Sequence, residues 1–231
     1  GKHNVVNSYV WDGDGGLRRR RDDVAHGRAP SGGFKVSHGI MPRWRRRPLA
    51  GGRTATLCGQ MLETRRIKHC RRCGTPVTYR VPSDDNRERA VCPGCGEIHY
   101  ENPLNVVGTV PVWGDQVLLC RRAIEPRHGM WTLPAGFMEL GETVVDGALR
   151  ETVEEAGARV EMLELFTLLN VVPVGQVHLF YRARMLDTSL DPGPETLEAR
   201  LFHEHEIPWD EIAFRTVKVT LRHYFECART G

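Results

Sequence analysis

The glutamates within residues 136–158 constrain this chain most, because only a helix brings them together. Glu151, Glu154 and Glu155 stand at positions i, i+3 and i+4, so they share one helical face. Like charges at this spacing destabilise an isolated helix by roughly 0.2–0.5 kcal/mol per pair. The segment is therefore typical of a helix whose carboxylates hold a cation between them.

The residues around these glutamates favour a divalent-cation site. Carboxylates are hard ligands that suit Mg²⁺ or Mn²⁺, ions that keep several waters and bridge to phosphates. Arg150 can hold a carboxylate in place, and Glu142 stands near the predicted helix start, where the helix dipole favours it. Gly157 ends the predicted helix. The alternative is a solvated acidic face, which three glutamates alone would favour.

Two pairs of cysteines predict a second metal site. Gly74 and Gly96 directly follow the second cysteine of each pair, where a tight turn needs a permissive backbone. Four thiolates fit tetrahedral Zn²⁺, and the spacing of the pairs falls inside the zinc-ribbon range. Two unrelated reduced pairs or a redox-active pair are the alternatives. A closed tetrahedron would be structural, with the ligands Cys70, Cys73, Cys92 and Cys95.

Composition divides the chain into three segments. Residues 1–60 hold 12 Lys+Arg against 4 Asp+Glu, which leaves 20 basic and 25 acidic residues in 61–231. We expect 1–60 to be a disordered basic extension, because little apolar surface is available there to offset chain entropy. Residues 61–103 are predicted to form the zinc ribbon, with two short strands, and 104–231 the main domain.

The basic segment 1–60 has three interpretations. The first is an arm that binds polyanions, the second is an organelle-targeting peptide, and the third is a stretch upstream of a native start at Met61. Targeting is less favoured, because Ser is sparse and four Asp are present. No run of about 18 apolar residues occurs, so no membrane partner is expected. The seven cysteines, without a secretory signal, predict a reducing compartment, and we expect the cytoplasm.

The apolar pattern from residue 105 onward predicts an α/β domain. Gly114-Asp115 is a turn signal that joins the first two strands into a hairpin. Predicted strands lie at 105–113, 116–120, 160–172, 176–186 and 197–202, predicted helices at 143–156 and 216–227, and a helical turn at 208–212.

Residues 136–158 resemble the Nudix box, G-x5-E-x7-R-E-U-x-E-E-x-G-U with U apolar. Every Gly, Glu and Arg of the box has its counterpart, and Thr152 at the first U position is a departure. The resemblance implies a Nudix α/β/α sandwich with a mixed sheet, preceded by the small zinc ribbon. It implies the catalytic residues Glu142, Arg150, Glu151, Glu154 and Glu155, the last three binding Mg²⁺ or Mn²⁺ with a backbone carbonyl near Ala135 or Gly136.

The resemblance also implies the reaction, because Nudix hydrolases cleave a nucleoside diphosphate linked to another group. Water attacks one phosphorus, and the metal neutralises the charge that develops on the leaving phosphate. A further acidic residue is expected outside the box, with Glu198 ahead of Glu195. Arg121 or Arg122 is expected to contact phosphate, since strand alternation lets only one of them face the site.

The substrate is predicted from segments outside the box. The ribbon and residues 99–103 (His-Tyr-Glu-Asn-Pro) resemble NADH pyrophosphatases, but residues 172–178 lack the Ser-Gln-Pro-Trp-Pro-Phe-like motif of those enzymes. The chain is more similar to zinc-ribbon Nudix proteins that include plastid FAD and ADP-ribose pyrophosphatases. Trp131 and Phe214 are candidates to stack on a base or flavin, with core packing as the alternative.

The first hypothesis is therefore hydrolysis of FAD or ADP-ribose with release of AMP. The alternatives are an NADH or NAD-capped RNA pyrophosphatase, and a nucleic-acid-binding regulatory protein that uses the basic arm and the ribbon. The mildly acidic balance of 61–231 argues against nucleic acid as the main partner. A small-molecule nucleotide is the expected partner, and a homodimer is implied by resemblance alone.

Overall fold

The computed structural model describes residues 7–11, 17–19 and 66–230, which form two β-sheets with two α-helices. The helices are α1 (Val144–Ala156) and α2 (Arg215–Thr230), and short 3-10 helices lie at Val172–Val174, Glu204–Glu206 and Trp209–Glu211. Among the described residues, no helix is long and apolar enough to cross a membrane. The strands are β1 (Asn7–Trp11), β2 (Leu17–Arg19), β3 (Thr78–Arg80), β4 (Arg89–Val91), β5 (Ile98–His99), β6 (Leu104–Trp113), β7 (Gln116–Arg122), β8 (Trp131–Thr132), β9 (Ala135–Phe137), β10 (Val160–Val171), β11 (Gln176–Met185) and β12 (Thr196–Phe202).

The small sheet consists of β3, β4 and β5, which pair antiparallel in that order. Thr78 lies opposite Val91, and Ala90 lies opposite His99. Ala90 and Val91 are buried, so the sheet has a small apolar centre. Both short strands predicted for this segment are confirmed.

The large sheet is mixed, as predicted. Its path runs β12-β7-β6-β11-β10-β1-β2, while β8 pairs with β7 and β9 pairs with β6. The pairs β6–β11 and β1–β10 are parallel, and the others are antiparallel. The predicted hairpin closes where Trp113 lies opposite Gln116. The sequence did not predict β8 and β9, because two or three residues are too few to show a period.

Two strands near the start of the chain extend the large sheet past β10. Asn7 of β1 lies opposite Thr167 in the parallel pair, and Tyr9 lies opposite Arg19 in the antiparallel pair with β2. Disorder was expected throughout 1–60, and these two strands depart from that expectation. An open sheet edge offers main-chain partners that the local sequence does not reveal. The remaining residues of 1–60, and Met61, lie outside the described residues.

Alternating side chains on β7 place the two helices on opposite faces of the sheet. Val117 and Leu119 belong to a buried cluster that includes the apolar face of α2. Leu118 and Cys120 belong to a second cluster with Ala156 at the end of α1. Successive residues of a strand point to opposite faces, so the sheet is covered on both sides. The predicted α/β/α sandwich is confirmed.

Helix α1, which carries the predicted catalytic residues, is capped at both ends. Asp146 N donates to Thr143 Oγ1 at 3.1 Å, and the Asp146 side chain bonds back to Thr143, which completes a capping box. Gly157 has a left-handed φ of 64°, and its N donates to Val153 O at 2.8 Å. The predicted helix is confirmed, with Thr143 as its cap.

A pair of buried threonine hydroxyls joins each helix to the sheet. Thr109 Oγ1 on β6 lies 2.6 Å from Thr152 Oγ1 on α1, and Thr167 on β10 lies 3.0 Å from Thr220 on α2. Thr152 Oγ1 also donates to Ala148 O at 2.7 Å, so Thr109 is the donor to Thr152. The hydroxyl that departs from the Nudix box is thus fully hydrogen-bonded.

Candidate active site

The Arg150 guanidinium on α1 joins the loop before the helix to two of the helix glutamates. Its Nε and Nη2 donate to the two oxygens of Glu142 at 3.0 and 2.9 Å. Its Nη1 donates to Glu151 Oε1 at 2.7 Å and to Glu154 Oε2 at 2.9 Å. Nη2 also donates to the Phe137 carbonyl at 3.1 Å. One planar group therefore fixes three carboxylates and the preceding loop.

Glu142 is engaged within the protein through both oxygens. Besides the Arg150 fork, its Oε1 accepts from Glu139 N at 2.8 Å. The Arg150 hydrogen bonds are the main cause that lowers the pKa of Glu142 to about 2. Glu142 is therefore ionised at neutral pH, and its contacts are those of an anchor for Arg150.

The backbone of β9 lies directly against the glutamates of α1. Ala135 N donates to Glu155 Oε2 at 3.1 Å. A Cβ built on Gly136 would overlap the carboxyl group of Glu151, so only glycine allows this approach. The structure thus brings together the two glutamates and the backbone segment that the sequence predicted as metal ligands.

Burial raises the pKa of two helix glutamates. Desolvation is the main cause that raises the pKa of Glu155 to about 8, and the Ala135 N–H opposes it. Desolvation also raises the pKa of Glu151, although Arg150 opposes it. Buried neighbouring carboxylates are costly as anions unless a cation lies beside them. This oxygen donor set fits Mg²⁺ or Mn²⁺.

The glutamates are spaced more widely than a closed metal cage. Within the described residues, the four predicted zinc ligands form the only group of three or more whose donor atoms all lie within 4.8 Å of one another. Mg²⁺ keeps several waters and completes its shell with substrate phosphates. The wider spacing of the glutamates therefore fits Mg²⁺, because the protein supplies only a few of its ligands.

Glu198, the first candidate for an acidic residue outside the box, faces away from α1. Strand β12 has a register shift between Thr196 and Glu198. Beyond it, Ala199 packs in the cluster beside α1. Its neighbour Glu198 therefore points to the opposite face, where its partner on β7 is Arg121. The bulge therefore directs Glu198, the candidate placed first, away from α1.

Glu195, the second candidate, comes to the glutamate cluster on a loop packed against the end of α1. Asp191 N donates to Ala156 O at 2.9 Å, and a Cβ on Gly193 would overlap Glu154 O. The negative charge of Glu195 contributes to the raised pKa values of both buried glutamates of the cluster. Of the two candidates, Glu195 is therefore the one whose charge acts on the helix glutamates.

Alternation on β7 separates the two arginines predicted to contact phosphate. Arg122 shares the α1 face with Cys120, and its positive charge lowers the pKa of Glu155. Arg121 points to the other face and donates its Nε to Gly129 O at 2.9 Å. Arg122 is therefore the arginine that the structure brings to the glutamates.

The two aromatic candidates differ in burial. Trp131 is 6% exposed and packs edge-on against Phe202, with ring centroids 4.9 Å apart. It takes the core role, the alternative that the sequence left open. Phe214 is half-buried, and the Arg122 guanidinium lies 5.1 Å from its ring centroid. Of the two aromatic candidates, Phe214 is the one that lies against Arg122.

The four cysteines at the ends of the small sheet come together as predicted. Cys70 Sγ lies 3.7 Å from Cys95 Sγ, and Cys73 Sγ lies 3.4 Å from Cys92 Sγ. A tetrahedron with Zn–S bonds of about 2.3 Å has sulfur–sulfur edges of about 3.8 Å. The sulfur arrangement therefore fits one Zn²⁺.

Two matching turns present these sulfurs. Gly74 and Gly96 both have a φ of 76°, and their N–H groups donate to Cys70 O and Cys92 O at 2.9 and 3.0 Å. Backbone N–H groups of Arg72 and Cys95 each donate to a cysteine sulfur at 3.4 Å. The permissive glycines have the role that their spacing predicted.

The half-buried His178 is not among the residues that the sequence predicted for the site. His178 on β11 contacts Thr216 Oγ1 at the start of α2 through Nδ1 (3.1 Å) and Gln176 Oε1 through Nε2 (3.0 Å). Burial lowers its pKa to about 4. A single histidine in a strand gives no periodic pattern, so only the contact with α2 reveals that it is enclosed.

Comparison with known proteins agrees with this geometry. A NUDIX hydrolase from Nitrosomonas europaea superposes with a TM-score of 0.69 and 50% identity, covering 71% of this chain and 94% of that one. The NAD-capped RNA hydrolase NudC of Stutzerimonas stutzeri (strain A1501) is 30% identical over 158 residues, 67% of this chain and 54% of that protein. The mitochondrial NAD(P)H pyrophosphatase NUDT13 of Homo sapiens is 29% identical over 148 residues, 62% and 39% respectively. The chain thus spans about half or less of these two curated relatives.

Two family models cover most of the described residues. The Nudix N-terminal model, a zinc ribbon, matches residues 68–101, and the NUDIX domain model matches residues 103–221, just over half of the chain. With the box on α1, the sandwich around it and the four-cysteine turns before it, this chain belongs to the Nudix hydrolase family and carries that family's N-terminal zinc ribbon.

Proposed function

We propose that this chain hydrolyses a nucleoside diphosphate linked to another group, with a divalent metal, and releases AMP. The observation that carries the proposal is the cluster of Glu151, Glu154 and Glu155, with the first and last held against the β9 backbone. Mg²⁺ or Mn²⁺ bound there would lower the pKa of the attacking water and neutralise charge on the leaving phosphate.

The chain's own residues would hold and orient the reacting groups. The three glutamates and the Gly136 carbonyl would bind the metal, and Arg150 keeps two of these carboxylates in fixed positions. Arg122, on the same sheet face as α1, would contact a substrate phosphate. Glu195 would add the acidic residue from outside the box.

Two substrate classes have support. Similarity of residues 129–136 and 192–198 to FAD and ADP-ribose pyrophosphatases supports FAD or ADP-ribose, as does the missing Ser-Gln-Pro-Trp-Pro-Phe-like motif. The names of the curated relatives, an NAD-capped RNA hydrolase and an NAD(P)H pyrophosphatase, give equal support to NADH or NAD-capped RNA. All four contain an adenosine diphosphate linkage whose hydrolysis yields AMP or a 5′-phosphorylated RNA.

A substrate panel tests the proposal. AMP release from FAD, ADP-ribose and NADH, and cap removal from NAD-capped RNA, are measured with Mg²⁺ and with Mn²⁺. Glu155→Gln should lower kcat at least about hundredfold, because several kcal/mol of charge stabilisation depend on the metal. Glu161→Gln, an exposed glutamate on β10, is the matched control. Full activity of Glu155→Gln would exclude its role as a metal ligand.

The expected partner, assembly and location also belong to this proposal. A small-molecule nucleotide, a homodimer and the cytoplasm are proposed from the family resemblance and the cysteine content. Sedimentation of the full chain would measure the assembly directly. A single species at 26.1 kDa would contradict the homodimer.

A further inference from the structure

A basic cavity of about 590 Å³ lies beside the first turns of α2, and none of the helix glutamates lines it. Four of its lining side chains are cationic, namely Arg127, Arg215, Lys218 and Arg222, and one is acidic, Asp210. Residues 61–231 as a whole contain 20 basic and 25 acidic residues. The cavity lining is therefore positively charged, although residues 61–231 as a whole carry more acidic than basic residues.

Helix geometry explains why these cations converge. Arg215, Lys218 and Arg222 stand at i, i+3 and i+7, which places them on one face of α2. The opposite face buries Val217 and Leu221 in the core, so the basic face is fixed toward the cavity. α2 also begins at Arg215, and the helix dipole adds positive potential at that end.

Arg127 reaches the same cavity from the loop between β7 and β8. It has a left-handed φ of 72°, unusual for a residue other than glycine, and Met130 N donates to its carbonyl at 3.2 Å. That closed turn holds Arg127 opposite α2. Within residues 66–230, neither Arg127 nor Lys218 has a salt-bridge partner. Both cations therefore line the cavity without an ion pair from this part of the chain, and Asp210 is the one acidic side chain beside them.

The floor of the cavity is apolar. Ile212 and Ala213 are buried, and Met130 and Val219 are half-buried. A concave site with an apolar floor and a cationic rim is typical of sites for phosphate-bearing organic ligands.

The cavity adjoins the segment that carries the predicted phosphate contact. Arg122 N donates to Met130 O at 2.9 Å, and Phe214, which stacks with Arg122, lies between the lining residues Ala213 and Arg215. The cavity therefore adjoins β7 at Arg122 through the backbone of Met130 and through Phe214, and none of the helix glutamates lines it.

We propose that this cavity is a second binding site, distinct from the glutamate site, for the phosphate groups of an anionic ligand. Two sources have this chemistry, a free oligophosphate or nucleotide and the phosphodiester chain of an RNA. The site does not depend on which substrate the glutamates hydrolyse, because its residues and those of the predicted metal site are different.

Calorimetric titration of the full chain with tripolyphosphate tests the site, without added divalent metal so that phosphate is not recruited through the glutamates. The test variant is Lys218→Gln/Arg222→Gln. Arg229→Gln is the matched control, since it removes an exposed cation from the same helix outside the cavity. Saturable binding should weaken at least about tenfold in the test variant, because two charged hydrogen bonds are lost, and less than about twofold in the control.

Arg127→Gln provides a second variant on a separate element, in case the double variant fails to fold. It should weaken binding severalfold, and thermal melting checks the fold of every variant. Equal affinity in the wild type and both cavity variants would overturn the proposal. Absence of saturable binding in the wild type, or an equal loss in Arg229→Gln, would overturn it as well.

A single-stranded RNA of ten nucleotides without a 5′-phosphate separates the two sources. If the cavity binds the phosphates of an RNA chain, the double variant should lose RNA affinity. The slope of log binding constant against log salt concentration should also be smaller by about 1.4 in magnitude. If the cavity binds free phosphates, the double variant should lose tripolyphosphate affinity alone. Either pattern supports the proposal, and no change in either ligand contradicts it.

Discussion

Single residues in this chain have roles set by close contacts. Gly136 is needed because the Glu151 carboxyl occupies the place of a side chain, and Arg150 is needed because its fork reaches Glu142 and two helix glutamates together. These needs follow from distances across elements. The structure therefore explains why the box needs these residue types, whereas spacing along the chain only indicates that they are grouped.

Gly136→Ala should lower AMP release at least about hundredfold, because its Cβ would displace the Glu151 carboxylate by about an ångström. Steady-state kinetics with Mg²⁺ measures this. Gly114→Ala is the control, since its φ of 61° strains any other residue, whereas nothing lies within 4 Å of an added Cβ. It should lose roughly 1 kcal/mol of stability and keep its activity. Similar kcat values for both variants would disprove the steric argument.

His178 predicts a pH dependence of stability. Burial lowers its pKa from 6.5 to about 4, so between these values the unfolded chain binds more protons than the folded one. The contribution of this residue to the free energy of unfolding is therefore fully present above pH 6.5. It is lost as the pH falls through 4, by up to about 3 kcal/mol.

Urea unfolding between pH 4 and 7 measures this effect. The stability difference between the wild type and His178→Gln should shrink as the pH falls, because Gln has no proton to gain. A difference that is constant across this range would show that His178 does not titrate differently in the two states.

At the scale of elements, α1 is fixed by caps at its ends and by one hydroxyl pair at its middle. The capping box at Thr143 and the Gly157 turn are local and readable in the sequence. The bond between Thr109 and Thr152 is not local, since 43 residues separate its members. It sets the position of α1 against β6, and hence of the glutamates against β9.

Thr152→Val should destabilise the chain by about 1–3 kcal/mol, because the buried Thr109 hydroxyl would keep no partner. Thr109→Val/Thr152→Val should be more stable than Thr152→Val, since both polar groups are then removed. Urea unfolding of the four proteins in this double-mutant cycle gives the coupling free energy. Additive losses would show that the two hydroxyls do not depend on each other.

At the scale of the whole molecule, the metal sites belong to separate sheets. Within residues 66–230, the buried clusters of the large sheet consist of residues between 110 and 225, and the four cysteines lie at the turns around the small sheet. A ribbon of this size depends on its metal for stability, whereas the sandwich has its own core.

Loss of zinc should therefore unfold the ribbon and leave the sandwich folded. Elemental analysis should find one zinc per chain in the wild type and none in Cys92→Ser, because three thiolates hold the ion too weakly. Cys227→Ser, an exposed cysteine on α2, should keep its zinc. Calorimetry should show the main unfolding transition shifted by no more than a few degrees in Cys92→Ser. If neither the wild type nor Cys227→Ser contained zinc, the ribbon site would be ruled out.

The sequence by itself determined the features that depend on local spacing. The box glutamates lie on one helical face because α-helix geometry fixes that relation, and the two cysteine pairs lie on tight turns because Gly74 and Gly96 permit them. The Gly114-Asp115 hairpin and the helix stop at Gly157 are equally local. The predicted ribbon and its four ligands follow from such short-range patterns, whereas the Nudix fold is what the resemblance to the Nudix box implies.

Only the tertiary structure decided which distant residues meet. The bulge in β12 turns Glu198 away from α1 and leaves Glu195 beside the glutamates, and a one-residue shift of this kind has no fixed sequence pattern. The basic cavity combines a loop, a 3-10 helix and one face of α2. Local spacing cannot predict these contacts, because their geometry is set by how the sheet twists and how the helices pack on it.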